Sequence, residues 1–208
     1  GFLLLLGTVS AGALHLRQSW LRSAEAEKLF EEGKRLAARR DPASATTAVR
    51  LLEQAISLAP EKAEWYAHLA QAIHSATTSP AVGPQPRTAV EAARRGVEID
   101  PNCLVCQLSY GFFLFYHQWS WDEGERHLRI AESLSPGHAD ANANLAMLLA
   151  ARGKLDEALQ RIDTSLKARP FAANWHAIRA SILYFQGRHA DAIAASDTCL
   201  GLHRDNNA

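Results

Sequence analysis

From Pro136 to Pro170 the chain reads PGHADANANLAMLLAARGKLDEALQRIDTSLKARP. Its packing positions fall into two runs of helical period. The first run passes through Asn142, Leu145, Ala146 and Leu149, at the three- and four-residue spacings of one helix face. Arg152-Gly153-Lys154 breaks it. The second run starts near Asp156, passes through Ala158, Leu159, Ile162 and Leu166, and stops before Pro170. Ala146 and Ala158 have little side chain, so the two helix axes can approach closely. Leu145, Leu149 and Ile162 then fill the seam. A hairpin of this kind cannot bury its apolar face alone, so neighbours must stack on it.

The pattern recurs along the chain. Helix-ending prolines stand at Pro60, Pro101, Pro136 and Pro170, and the last two are 34 residues apart. That is the tetratricopeptide (TPR) period, and Asn142-x₂-Leu145-Ala146-x₂-Leu149, Ala158-x₃-Ile162 and Pro170 resemble its motif. Leu29, Phe30, Gly33 and Leu36, then Ala48, Leu51, Leu52, Ala55 and Ile56, form a degenerate first repeat. In the second, Tyr66, Leu69, Ala70 and Ile73 precede Ala89, Ala93 and Gly96. Between its helices lies SATTSPAVGPQPR, residues Ser75 to Arg87, whose prolines and glycine predict a loop. The third carries Tyr110-Gly111 and Leu114, then Gly124, Leu128 and Ala131. The fifth carries Trp175, Ala180, Leu183 and Gln186-Gly187-Arg188, then Ala192 and Cys199, with Arg204 in place of proline. The expected fold is all-α. It is a right-handed TPR solenoid of about ten antiparallel helices over residues 24–204, with repeats near 23–60, 61–101, 102–136, 137–170 and 171–204.

The stretch before the repeats is different. Gly1 to Leu14, GFLLLLGTVSAGAL, has no charge. It is shorter than the about 20 residues of a membrane span. The chain begins with glycine rather than methionine, and the expectation is a piece of a longer protein, with further repeats beyond the C-terminus. Residues 1–22 are then the outer end of a transmembrane helix, a signal peptide or a buried helix. In the first case His15, Arg17, Trp20 and Arg22 mark the interface. In the second, Ala11-Gly12-Ala13 is a small-residue cleavage site.

Charge and composition exclude some function classes. The 22 basic and 22 acidic residues cancel. A chain that contacts nucleic acid usually carries a basic excess. Alanine-rich sequence with periodic leucine favours helix, and no alternating β-branched run marks a strand. Three cysteines in 208 residues do not make a disulfide framework.

A narrower resemblance rests on particular stretches. Glu32-Gly33-Lys34 with Arg39-Arg40, LLEQAISLAP, AEWYAHLAQA, and YGFFLFYHQWSWDEGERHLRIAESLSPGHADAN with its Trp119-x-Trp121-Asp122 turn are similar to the C-terminal half of CadC/ToxR-type regulators. The resemblance implies a cytoplasmic winged-helix DNA-binding domain outside this chain, one span of the inner membrane, and a sensing domain of TPR repeats. The expected location is therefore membrane-anchored through residues 1–14. The repeats would be periplasmic, or on the cytoplasmic face if Arg17 and Arg22 follow the positive-inside rule.

Candidate chemistry is sparse. Cys103-Leu-Val-Cys106 is a C-x-x-C at a helix start, read as buried cysteines, a local disulfide, or a metal or redox pair. No second C-x-x-C completes a zinc site, so no metal is expected. The nine histidines are scattered. Trp119 and Trp121 either plug the inter-helix turn or cage a ligand. No nucleophile triad, phosphate loop or carboxylate pair stands out, so no enzyme activity and no cofactor are expected. The concave face would be lined by Asp140, Asn144 and Met147 with Asn174, Ser181 and Tyr184, to hold a protein or peptide, or a second copy of the chain. Three roles fit: a TPR interaction and sensing domain in a membrane-anchored regulator, a scaffold for envelope or secretion complexes, or an accessory region of a multidomain signalling enzyme.

Overall fold

The computed structural model describes the backbone of residues 2–39, 41–77 and 86–205, and the side chains of 20–39, 41, 43–76 and 88–204. Among the described residues there are ten α-helices and no strand. They are α1 (Phe2–Ala37), α2 (Pro42–Leu58), α3 (Ala63–Thr77), α4 (Pro86–Ile99), α5 (Leu104–Gln118), α6 (Trp121–Leu134), α7 (Ala139–Ala151), α8 (Leu155–Ala168), α9 (Ala173–Phe185) and α10 (His189–Asp205). The chain divides into two compact units, Gly1–Cys106 and Gln107–Ala208.

In the first unit α1 lies on α2 and α3 on α4. The core is Ala26 and Phe30 from α1, Ala48, Leu52 and Ala55 from α2, and Trp65, Leu69 and Ile73 from α3. Phe30 and Trp65 stack with ring centroids 4.7 Å apart. Local chemistry starts α2 where the sequence places it. Asp41 caps the helix, its Oδ1 accepting from the Ser44 N–H at 2.8 Å, with Pro42 in the first turn.

In the second unit α7 and α8 meet through Leu145, Ala146, Leu149, Ala158 and Ile162, none of which is exposed. These are the residues that the helical period puts in the seam. The α7–α8 and α9–α10 turns are built alike. Gly153 and Gly187 both have φ of +76°, which glycine adopts without strain. Lys154 N donates to Leu149 O and Arg188 N to Leu183 O, each at 2.9 Å. The backbone thus repeats the 34-residue spacing read from the sequence.

One expectation is overturned. No helix among the described residues is long and apolar enough to cross a membrane. Single-pass anchoring through residues 1–14, and a membrane-type helix ahead of the repeats, are therefore not supported. The physical reason lies in length and continuity. The uncharged stretch gives way to His15 and Arg17, and the same helix runs on through Glu25, Glu27 and Glu31 to Ala37. Most of the loop expected at Ser75–Arg87 lies outside the described residues. α3 continues to Thr77 and α4 begins at Pro86.

Candidate protein-binding face

The six residues expected on the concave face differ in their surroundings. Asp140 opens α7, and its carboxylate accepts from both guanidinium nitrogens of Arg169, at 3.1 and 2.7 Å. It is spent on tying α7 to the end of α8. Asn144 and Met147 are half-buried on α7, and Asn174 is exposed in the first turn of α9. Ser181 is exposed, and its Oγ donates to Ala177 O at 3.0 Å. Tyr184 stands near the end of α9.

The structure brings Ser181 and Tyr184 into one groove, which the other four do not line. Both line an open, mainly apolar groove of about 680 Å³ between α9 and α10, with Ala177, Phe185, Ile193 and Leu200. The groove is apolar and uncovered. Tyr184 is 59% exposed, Phe185 68%, Ile193 63% and Leu200 54%.

The residues one repeat earlier show what such a groove receives. Counting 34 residues back, Ile193 and Leu200 correspond to Leu159 and Leu166 of α8, which are half-buried. Leu159 packs against the cluster of Ala180, Leu183, Ala192 and Ala195 formed by the following pair of helices. Ile162 of α8, fully buried, corresponds to Ser196 of α10, which is exposed. A small polar residue thus stands where a large apolar one fills the preceding seam. Phe185, Ile193 and Leu200 were not singled out by the sequence reading. Aligning the last two repeats residue by residue would have shown the Ile162-to-Ser196 change.

Around α6, α7 and α8 the charges form a network. Arg129 reaches Glu125 at 3.3 Å, Glu132 at 3.4 Å and Glu157 at 2.9 Å. Arg161 pairs with Glu132 and also donates to Asn142 Oδ1 at 3.1 Å. Arg152 pairs with Asp122, and with Glu125 at 3.1 Å. Hydrogen bonding to Arg129 holds the Glu157 carboxyl below its ordinary range. This surface is self-satisfied and offers little to a partner.

His127 of α6 is buried beside Tyr110, ring centroids 4.6 Å apart. Its Nδ1 is 2.6 Å from Gln107 Oε1 and its Nε2 2.9 Å from Arg126 Nη2. An acceptor on one side and a guanidinium donor on the other select the neutral Nδ1–H tautomer. Burial, and then the Arg126 charge, lower its pKa. Trp119 is 74% exposed with φ of +56°, and Trp121 is half-buried at the start of α6. Trp119 therefore plugs nothing. In the first unit Cys103 and Cys106 are joined by a disulfide. Among the described residues no three His, Cys, Asp or Glu side chains gather to hold a metal ion.

Residues 120–182 match the family model of the tetratricopeptide repeat. The chain therefore carries a TPR repeat domain, a fold that serves as a scaffold for protein interaction. Among solved structures it is similar to a thermophilic TPR protein of Thermus thermophilus, with a TM-score of 0.71 and 18% identity, covering 85% of this chain and 91% of that one. It is also similar to pilF of Pseudomonas aeruginosa, with a TM-score of 0.66 and 21% identity, covering 86% of this chain and 77% of that one. MamA of Desulfovibrio magneticus RS-1 gives 0.60 and 15%, covering 88% and 98%. At these identities the likeness is one of fold. In sequence the chain is 28% identical over 191 residues to the transcriptional regulator HilA of Salmonella paratyphi A. The match takes in 91% of this chain and 34% of HilA, so the chain spans about a third of that relative's length.

Proposed function

We propose that this chain is the protein-binding TPR part of a transcriptional regulator, and that it receives an amphipathic helix of a partner in the groove between α9 and α10. The observation that carries the reading is the groove itself: Tyr184, Phe185, Ile193 and Leu200 are exposed together along two adjacent helices. The equivalent groove between α7 and α8 is covered by α9, which supplies Ala180 and Leu183 against Leu159. A helix with small and aliphatic residues on one face is what that geometry accepts. The regulatory role is supported by the HilA match across most of this chain. Asn144, Met147 and Asn174, with Asp140 held by Arg169, form a second, more polar candidate surface.

The test uses the full-length protein in its own cell. A photo-crosslinking residue is placed at Ile193 in one strain and at Asn174 in another, and transcripts are compared between wild type, Ile193→Asp/Leu200→Asp and a deletion. A protein crosslinked at Ile193, with transcripts in the double variant matching the deletion, supports the proposal. A crosslink to a second copy of the chain makes self-association the mode. Crosslinks at Asn174 alone, with normal transcripts in the double variant, place binding on the polar surface and overturn the groove.

A further inference from the structure

We infer that the Cys103–Cys106 disulfide is a thiol–disulfide exchange site, attacked at Cys103 and selective for cationic thiols. Three observations combine. The first is the bond itself, closing the first turn of α5. The second is the unequal exposure of its two cysteines. Cys106 has no exposed surface and sits against α4, where a Cβ added at Gly96 would meet its Sγ at 3.2 Å. Cys103 is half-buried and lines an open cleft of about 740 Å³ in the first unit. An incoming thiolate reaches Cys103 and not Cys106. The third is the cleft's charge. Glu27, Glu31, Glu61, Glu64 and Asp100 line it against only Lys34 and Lys62. Glu27 already engages Lys62 at 3.2 Å, and Glu31 engages Lys34 at 2.8 Å, so the remaining carboxylates set the sign of the field. A cleft of one sign concentrates ligands of the other.

The chemistry balances with a low-molecular-weight thiol as reductant. Its thiolate attacks Cys103 Sγ, a mixed disulfide forms there, and the Cys106 sulfur leaves with the electron pair and takes a proton from water. A second thiolate then attacks the small molecule's sulfur and releases Cys103 as thiolate. Two external thiols become one external disulfide, and the protein disulfide becomes a dithiol. Cys103 Sγ already accepts the Cys106 N–H at 3.2 Å, at the positive end of α5. That contact stabilises negative charge on the released sulfur. The site is thus built to open and to reclose.

The test is made on the whole chain carrying Cys199→Ser, which removes the one other cysteine. Cys106→Ser and Cys103→Ser variants are each incubated with cystamine (cationic) or 3,3′-dithiodipropionate (anionic), and adducts are timed by mass spectrometry. The Cys106→Ser variant, with Cys103 free, is expected to react at least about tenfold faster than the Cys103→Ser variant. Its preference for cystamine should exceed that of the urea-unfolded chain by about fivefold or more, and should collapse near about 1 M salt. Equal reactivity of the two variants, or the same preference folded and unfolded, overturns the proposal. A second measurement needs neither cysteine substitution. The Cys199→Ser chain with its disulfide intact is treated with cysteamine, quenched in acid and mapped. The mixed disulfide is expected on Cys103, and finding it on Cys106 overturns the proposal.

Discussion

Asn142 Oδ1 accepts a hydrogen bond from Arg161 Nη1 at 3.1 Å, while Asn142 Nδ2 donates to His138 O at 3.1 Å. The tryptophan position of the repeat motif is therefore filled by a buried amide that joins α8 to the start of α7. Arg161 is anchored in turn by Glu132 of α6, so three helices share one polar node. A buried node of this kind helps only while every member is paired. Asn142→Ala leaves His138 O and Arg161 each short of a partner. The expected cost is about 1–3 kcal/mol, read as a lower urea midpoint at unchanged slope.

Leu145 tests the apolar side of the same hairpin. It has no exposed surface, as is true of Leu149 and Ile162 in the same hairpin. Leu145→Asp places an unpaired carboxylate among them and should cost roughly 3 kcal/mol or more. A circular-dichroism melt unchanged by the substitution would remove Leu145 from the core.

His127 gives stability a pH dependence whose sign is fixed. Burial, then the Arg126 charge, lower its folded pKa below the ordinary 6.5. His68 and His117 are lowered by burial as well. Above about pH 6.5 the groups are neutral in both folded and unfolded chains, and their contribution is fully present. As pH falls below that value the unfolded chain binds protons that the fold refuses, so stability drops through the folded pKa. One group can contribute at most about 1.4 kcal/mol per pH unit. His127→Gln keeps an amide oxygen and N–H for Arg126 and Gln107. It should reduce the loss of denaturation midpoint between about pH 7 and pH 5.

The sequence made the seams legible because they follow short-range periodicity. Leu145, Leu149, Ala158 and Ile162 could be placed from three- and four-residue spacings, and the Gly153 turn from its break in them. The cross-helix polar pairs were not read, yet they obey a longer spacing. Arg129–Glu157, Arg161–Glu132, Arg152–Asp122, Arg169–Asp140 and Gln186–Asp156 are separated by 28, 29, 30, 29 and 30 residues. That interval is a little under one repeat, and opposite charges at it, in four of the five pairs, are the signal that was there to use. The apolar start misled for another reason. Local hydropathy at residues 1–14 says nothing of whether the helix ends there, and α1 continues to Ala37. On the candidate face, residue type suggested Asp140, and its pairing with Arg169 was not read from the sequence.

The last prediction exchanges the residues that distinguish the filled seam from the open groove. Ile162 and Ser196 occupy equivalent positions 34 residues apart, one fully buried and one exposed. Ile162→Ser removes a buried aliphatic side chain and leaves a hydroxyl in an apolar seam. It should cost roughly 3 kcal/mol. The converse change, Ser196→Ile, adds bulk at an exposed site of α10 and should move stability by no more than about 0.5 kcal/mol. Its effect belongs to binding instead. Ser196 lines the groove with Tyr184, Ile193 and Leu200, so an isoleucine there occupies part of the space a partner helix needs. The paired measurement is a urea melt of both variants together with the Ile193 crosslinking assay. Ile162→Ser should shift the melt. Ser196→Ile should leave the melt in place and weaken the crosslink. A Ser196→Ile variant that melts like the wild type and crosslinks at full strength would show that the partner lies against Ile193 without entering the space beside Ser196.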